Sequence, residues 1–122
     1  DENFINYGHE DLELGYRRQN AGNPVRFNHR AIGYHWHPVR FELRCDNRRH
    51  SGMATRRFYT KHHDLSILLL LGVNPFTFGL HCLVCAVPDW REKLRSKTLH
   101  SRWGRELTLQ DYYLCGYRGL EP

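Results

Sequence analysis

The sequence predicts an α+β domain, a small antiparallel sheet packed against two or three helices. Three observations carry that prediction. Residues 39–45 alternate apolar and charged side chains, with Val39, Phe41, Leu43 and Cys45 on one face and Arg40, Glu42 and Arg44 on the other, which is the period of a half-buried strand. Asp46-Asn47 then offers a hairpin turn, with Arg48–Phe58 as the returning strand. Beyond it, residues 65–88 contain no Lys, Arg, Asp or Glu and read as the buried helical layer.

Taken in order, the first fifteen residues are polar and acidic, with Phe4, Ile5, Tyr7, Leu12 and Leu14 as the available anchors. Gln19–Pro24 reads as a loop, and Val25-Arg26-Phe27 opens an alternating run. Asp64 is placed to cap a helix over Leu65–Val73, whose all-round apolarity demands burial. Asn74-Pro75 interrupts the apolar stretch, because a residue before proline is pushed out of the helical region. The stretch is therefore read as two buried elements, Leu65–Val73 and Phe78–Val87, and no transmembrane span is expected. Asp89–Arg105 is amphipathic and basic, and Thr108–Tyr117 fits a last strand or helix equally.

With 122 residues, 40% of them hydrophobic and 25% charged, the chain suits one globular domain. Within it, residues 1–24 form a polar N-terminal segment, 25–90 the core and 91–122 a basic C-terminal segment. Collagen-like, coiled-coil and low-complexity classes are excluded by composition and by the absence of a sustained heptad. The start lacks a basic and apolar leader pattern, so no signal peptide is expected, and four cysteines without disulfide-scaffold spacing suit a reducing compartment.

The net charge of +5 is unevenly spread. Residues 17–57 hold ten arginines and no lysine against Glu42 and Asp46, a balance of +8. Arginine forks bind phosphate bidentately. Arg40, Arg44, Arg48 and Arg49, with Trp36, Phe41, Phe58 and Tyr59 interleaved, therefore form a candidate face for single-stranded RNA.

Nine histidines and four cysteines supply the remaining chemistry. On an extended segment His35 and His37 share one face, which Val39 and Phe41 continue into the expected core. Cys82, at the head of an expected helix, sits where the free N–H groups lower a thiol pKa. A thiol facing a histidine is the minimal arrangement of nucleophile and base. The same residues admit another reading, in which Cys45-x4-His50 and Cys82-x2-Cys85 hold zinc. Because the Cys82 pair lies in an apolar run, no metal and no other cofactor is expected.

The run from Val25 through His35-Trp36 to Val39-Arg40-Phe41 resembles the H-box of the H-box/NC family, the lecithin–retinol-acyltransferase-like branch of papain-type thiol enzymes. That family includes small host phospholipid acyltransferases and picornavirus 2A proteins. The resemblance implies a papain-like (NlpC-like) fold with Cys82 as nucleophile, His35 as base (His37 its alternate) and His50 as the orienting residue. His81 stands where the family has Asn before the cysteine, which implies weak or lost acyl transfer. The resemblance further implies a viral non-structural protein acting in the host cytoplasm or at membrane-associated replication sites. Its partners would be a host protein or a membrane lipid. The other reading is a basic RNA-binding or zinc-stabilised module without catalysis.

Overall fold

The structure, a computed structural model, describes residues 1, 4, 7–23, 25–93 and 101–122. It is 65% helix, and no strand forms among the described residues. The expected α+β class is thereby corrected: the described residues form no antiparallel sheet and no sheet layer of a papain-like fold. Among the described residues the helices run in order as α1 (Glu10–Asn20), α2 (Phe41–His62), α3 (Leu65–Leu70), α4 (Pro75–Cys85) and α5 (Arg102–Arg118), with a helical turn at 90–93 before α5.

The alternation over 39–45 loses to a longer period. Helix α2 buries Cys45 and then Ser51, Gly52, Ala54, Thr55 and Phe58, spacings that return every three or four residues. Leu43, which strand pairing would have sent inward, is exposed. Asp46 and Asn47 lie inside the helix instead of turning a hairpin, and the Asn47 carbonyl accepts the Ser51 hydroxyl at 3.0 Å. The inner face of α2 is small and polar because its partner is backbone. A Cβ on Gly52 would come within 2.0 Å of the Tyr113 carbonyl oxygen, and one on Gly116 within 2.0 Å of the Arg49 carbonyl oxygen. The axes of α2 and α5 therefore approach as closely as two main chains allow, the situation in which glycine is retained despite its low helix propensity.

Around that crossing, Val73, Tyr113 and Leu114 form the core, with Leu68, Phe78 and Tyr117 packed against them. Buried Tyr113 donates its hydroxyl to the Leu71 carbonyl at 2.9 Å and meets the Thr55 hydroxyl at 2.7 Å, which ties α2 and the α3–α4 turn to α5.

The helix ends follow local chemistry. The Asp64 side chain accepts from the Ser66 N–H at 2.9 Å, the expected cap. Asn74 and Thr77 make a reciprocal capping box, with Pro75 at the first helical position. Ser101 caps α5, and Gly119 closes it at φ 73 while the Leu120 N–H reaches the Cys115 carbonyl at 2.9 Å. The region 108–117, open between strand and helix, is helix. The apolar stretch does divide in two at Asn74-Pro75, but its burial is partial: Leu65, Leu69, Leu70, Phe76, Leu80 and Leu83 face solvent. Among the described residues no helix is long and apolar enough to cross a membrane.

Helix α1 docks by charge. Its first turn holds Glu10, Asp11 and Glu13 and its last turn Arg17 and Arg18, which complements the helix dipole. Leu12 and Leu14, expected as anchors, are exposed; the buried residue is Glu13. Its carboxylate accepts from Lys61 Nζ at 2.8 Å and Arg17 Nε at 2.9 Å, and meets His62 Nε2 at 3.0 Å. Tyr16 supports this hub, edge-on to Phe58 at 5.5 Å and donating to Asp64 at 2.8 Å.

Candidate functional site

Two places gather chemistry. The first lies along segment 25–40 and the start of α2. Segment 25–40 has neither helix nor strand, with only a turn at 29–30, where the Asn28 side chain accepts from the Arg30 N–H at 3.0 Å. With no neighbouring element to cover them, Phe27, Tyr34 and Trp36 are 94%, 99% and 92% exposed. Arg26, Arg30 and Arg40 are exposed among them. Arg40 precedes α2, and Arg44 and Arg48 follow it at intervals of four, so the three stand in one row on the helix. Arg48 lies over the Tyr113 ring, 5.7 Å from its centroid. Arg44 and Arg48 also edge a small cleft of about 300 Å³ with Tyr7, Ser51 and Glu106. Arg49 leaves this row and pairs with Glu121.

The histidines and cysteines singled out from sequence are placed as follows. His35 and His37 are exposed and stack on each other, ring centroids 5.6 Å apart, on the segment that was expected to be a sheet strand. His50 is half-buried on α2 and lines an open groove of about 590 Å³ with Met53, Arg57 and Gly119. Cys82 is exposed on α4. Among the described residues no imidazole hydrogen-bonds Cys82, and His35 forms no hydrogen bond. Cys45 is buried in α2 and does not join His50 or Cys82 in a ligand group.

The second place is buried between α4, α5 and the helical turn at 90–93. His81 Nε2 and Asp111 Oδ1 are 2.8 Å apart, both side chains almost wholly inaccessible. Arg91 grips the same carboxylate, Nε on Oδ2 at 3.0 Å and one terminal nitrogen on Oδ1 at 3.2 Å. That nitrogen also reaches Cys115 Sγ at 3.2 Å. Cys85 Sγ lies 3.6 Å from His81 Nε2, and Arg118 approaches His81 Nδ1 at 3.5 Å. Burial opposes ionisation of Asp111, but the bonds from His81 and Arg91 outweigh it and hold the carboxyl below its usual range. Burial, reinforced by the Asp111 charge, pushes the Cys115 thiol up to about 11. Burial likewise raises Cys85, so neither thiol is an activated nucleophile.

Sequence reasoning passed over Asp111, Arg91 and Cys115 and read His81 only as a substituted Asn. The available signal was a pair of spacings, His81-x3-Cys85 and Asp111-x3-Cys115. Each places two side chains on one helix face, and the signal appears only once both segments are read as helical. Comparison with protein-family models, curated proteins and solved structures finds no match to this chain, so its own residues carry the functional reading.

Proposed function

We propose that this protein is a basic module that binds single-stranded RNA and catalyses no reaction. The observation that carries the reading is the set of three nearly fully exposed aromatic rings, Phe27, Tyr34 and Trp36, interleaved with Arg26, Arg30 and Arg40 and leading into the Arg40–Arg44–Arg48 row. Aromatic faces stack on unpaired bases whatever their identity, while arginines track the phosphates. A segment free of helix and strand can follow a strand of RNA along its length. The uneven charge, +8 over residues 17–57, concentrates the field on this part of the chain. The thiol-transfer reading has less support, since Cys82 has no imidazole partner among the described residues and burial raises the Cys85 and Cys115 thiols.

Binding of a fluorescent single-stranded RNA, measured as a function of salt, tests the proposal. Each phosphate contact contributes roughly −0.7 to the slope of log K against log salt. Replacing Arg40 and Arg44 by Gln should make the slope shallower by about 1.4. Replacing Trp36 by Ala should lower affinity by roughly 1–3 kcal/mol without altering the slope. No binding at low salt, or a slope unmoved by the arginine changes, refutes it.

A further inference from the structure

The buried cluster between α4 and α5 has a donor set and spacing that the RNA reading does not use. Two helices each present an i, i+4 pair to the other: His81 and Cys85 from α4, Asp111 and Cys115 from α5. We propose that these four side chains form a tetrahedral zinc site that clips α4 to α5, built on His81, Asp111 and Cys115, with Cys85, which stands outside that trio but beside His81, drawn in as the fourth ligand. The proposal stands independently of the RNA reading, and it reverses the expectation, drawn from the apolar run around Cys82, that the chain takes no metal.

The geometry is the first support. His81, Asp111 and Cys115 each offer a ligand atom, and these atoms lie within 4.8 Å of one another. In a tetrahedral zinc site with usual bond lengths, a sulfur and a nitrogen or oxygen ligand stand about 3.5 Å apart. Cys85 Sγ to His81 Nε2 is 3.6 Å, and Cys115 Sγ to Asp111 Oδ1 is 3.5 Å. The third edge, His81 Nε2 to Asp111 Oδ1, is 2.8 Å, a hydrogen bond that an ion would open by roughly half an ångström as it replaced the shared proton.

Charge is the second support. Two thiolates and a carboxylate leave a zinc ion with one net negative charge, and Arg91 supplies the compensating positive charge. Arg91 grips both carboxylate oxygens, Nε on Oδ2 and a terminal nitrogen on Oδ1 that also reaches Cys115 Sγ, so an ion on Oδ1 and Cys115 would displace that terminal nitrogen and keep Nε on Oδ2 as the outer partner that orients the carboxylate. Mixed nitrogen, oxygen and sulfur donors select zinc or cobalt over calcium or magnesium. The clip also has a structural use. Much of the outer face of α4 is in water, and what holds it to α5 is the packing of Phe78 against Tyr117 at 5.6 Å and the polar contacts of His81 with Asp111 and Arg118. A metal cross-link is the usual supplement where a small domain has little core to share.

The test is a cobalt titration of the full chain, reduced and stripped with a chelator, followed by the thiolate-to-cobalt charge-transfer absorption and by competition with zinc. One equivalent should bind with a thiolate band. The band should fall to about half in Cys85→Ala and in Cys115→Ala, and should persist in Cys82→Ala and Cys45→Ala. Cys85 is only half-buried at the end of α4, so its variant keeps the test open should Cys115→Ala fail to fold; far-UV circular dichroism checks both. Absence of a thiolate band in the unmodified chain overturns the proposal. So does a band that tracks Cys45 or Cys82 instead, or one indifferent to Cys85.

Discussion

Replacing Glu13 by Gln tests whether charge, and not apolar contact, docks α1 on α2. The carboxylate is buried, yet its pKa lies at about 2 against an ordinary 4.5. Burial pushes the other way and is outweighed by hydrogen bonds from Lys61, His62 and Arg17. A depressed carboxylate pKa adds stability that is complete above about pH 4.5 and is lost as the pH falls toward about 2. A shift of that size corresponds to about 3 kcal/mol, and the partial exposure of Lys61 and Arg17 brings it down to roughly 2 kcal/mol. Glu13→Gln should therefore be less stable than the native chain by roughly 2 kcal/mol near neutral pH, and the two should converge at about pH 2. Urea unfolding followed by circular dichroism at several pH values measures this directly. Asp64 and Asp111, whose carboxyls are also held below their usual range, add acid sensitivity to both chains equally and cancel in the difference. A stability difference that stays constant across the acid range would refute the reasoning, since it would make Glu13 a packing residue and not a charged hub.

Two further predictions concern the helix crossing. Gly52→Ala drives a methyl group to 2.0 Å from the Tyr113 carbonyl oxygen, so α2 and α5 must separate; a loss of at least about 3 kcal/mol in chemical unfolding is expected, whereas Gly15→Ala, where a Cβ meets nothing within 4 Å, should be neutral or stabilising. Tyr113→Phe strands the Leu71 carbonyl, while the Thr55 hydroxyl keeps its bond to the Ser51 carbonyl, and should cost about 1–3 kcal/mol, with the thermal midpoint as the readout.

What the sequence disclosed was local. Asp64 caps α3 as its sequence position implies, whereas Asn74-Pro75, read only as an interruption, in fact caps and opens α4 at Pro75, three residues before the expected element at Phe78–Val87. The error over 39–58 arose because the inner face of α2 is Ser51, Gly52, Ala54 and Thr55, which shows no hydrophobic periodicity. Its complement is the main chain of α5, and a fit of backbone to backbone leaves no apolar pattern to read. Seven alternating residues then outweighed a helical period written in small side chains. Helix α1 escaped for a related reason, since it buries a carboxylate and exposes its leucines. The His81–Asp111 cluster was hidden by the Cys82-x2-Cys85 spacing, which drew attention to the exposed Cys82 and away from the pair one helical turn apart.

The close approach of Gly52 to α5 also governs how a nascent chain must behave. Its two sides, Gly52 and Tyr113, are separated by half the sequence, and closing a loop of that length costs roughly 3–4 kcal/mol of chain entropy. A ribosome delivers α2 long before α5, so the crossing that organises the molecule is among the last contacts to become available. The Glu13 hub needs nothing beyond Asp64 and can close first, tethering α1 to the end of α2. Through that wait α2 exposes hydroxyls, glycine and alanine over its second half, a surface that offers other unfinished chains little to stick to.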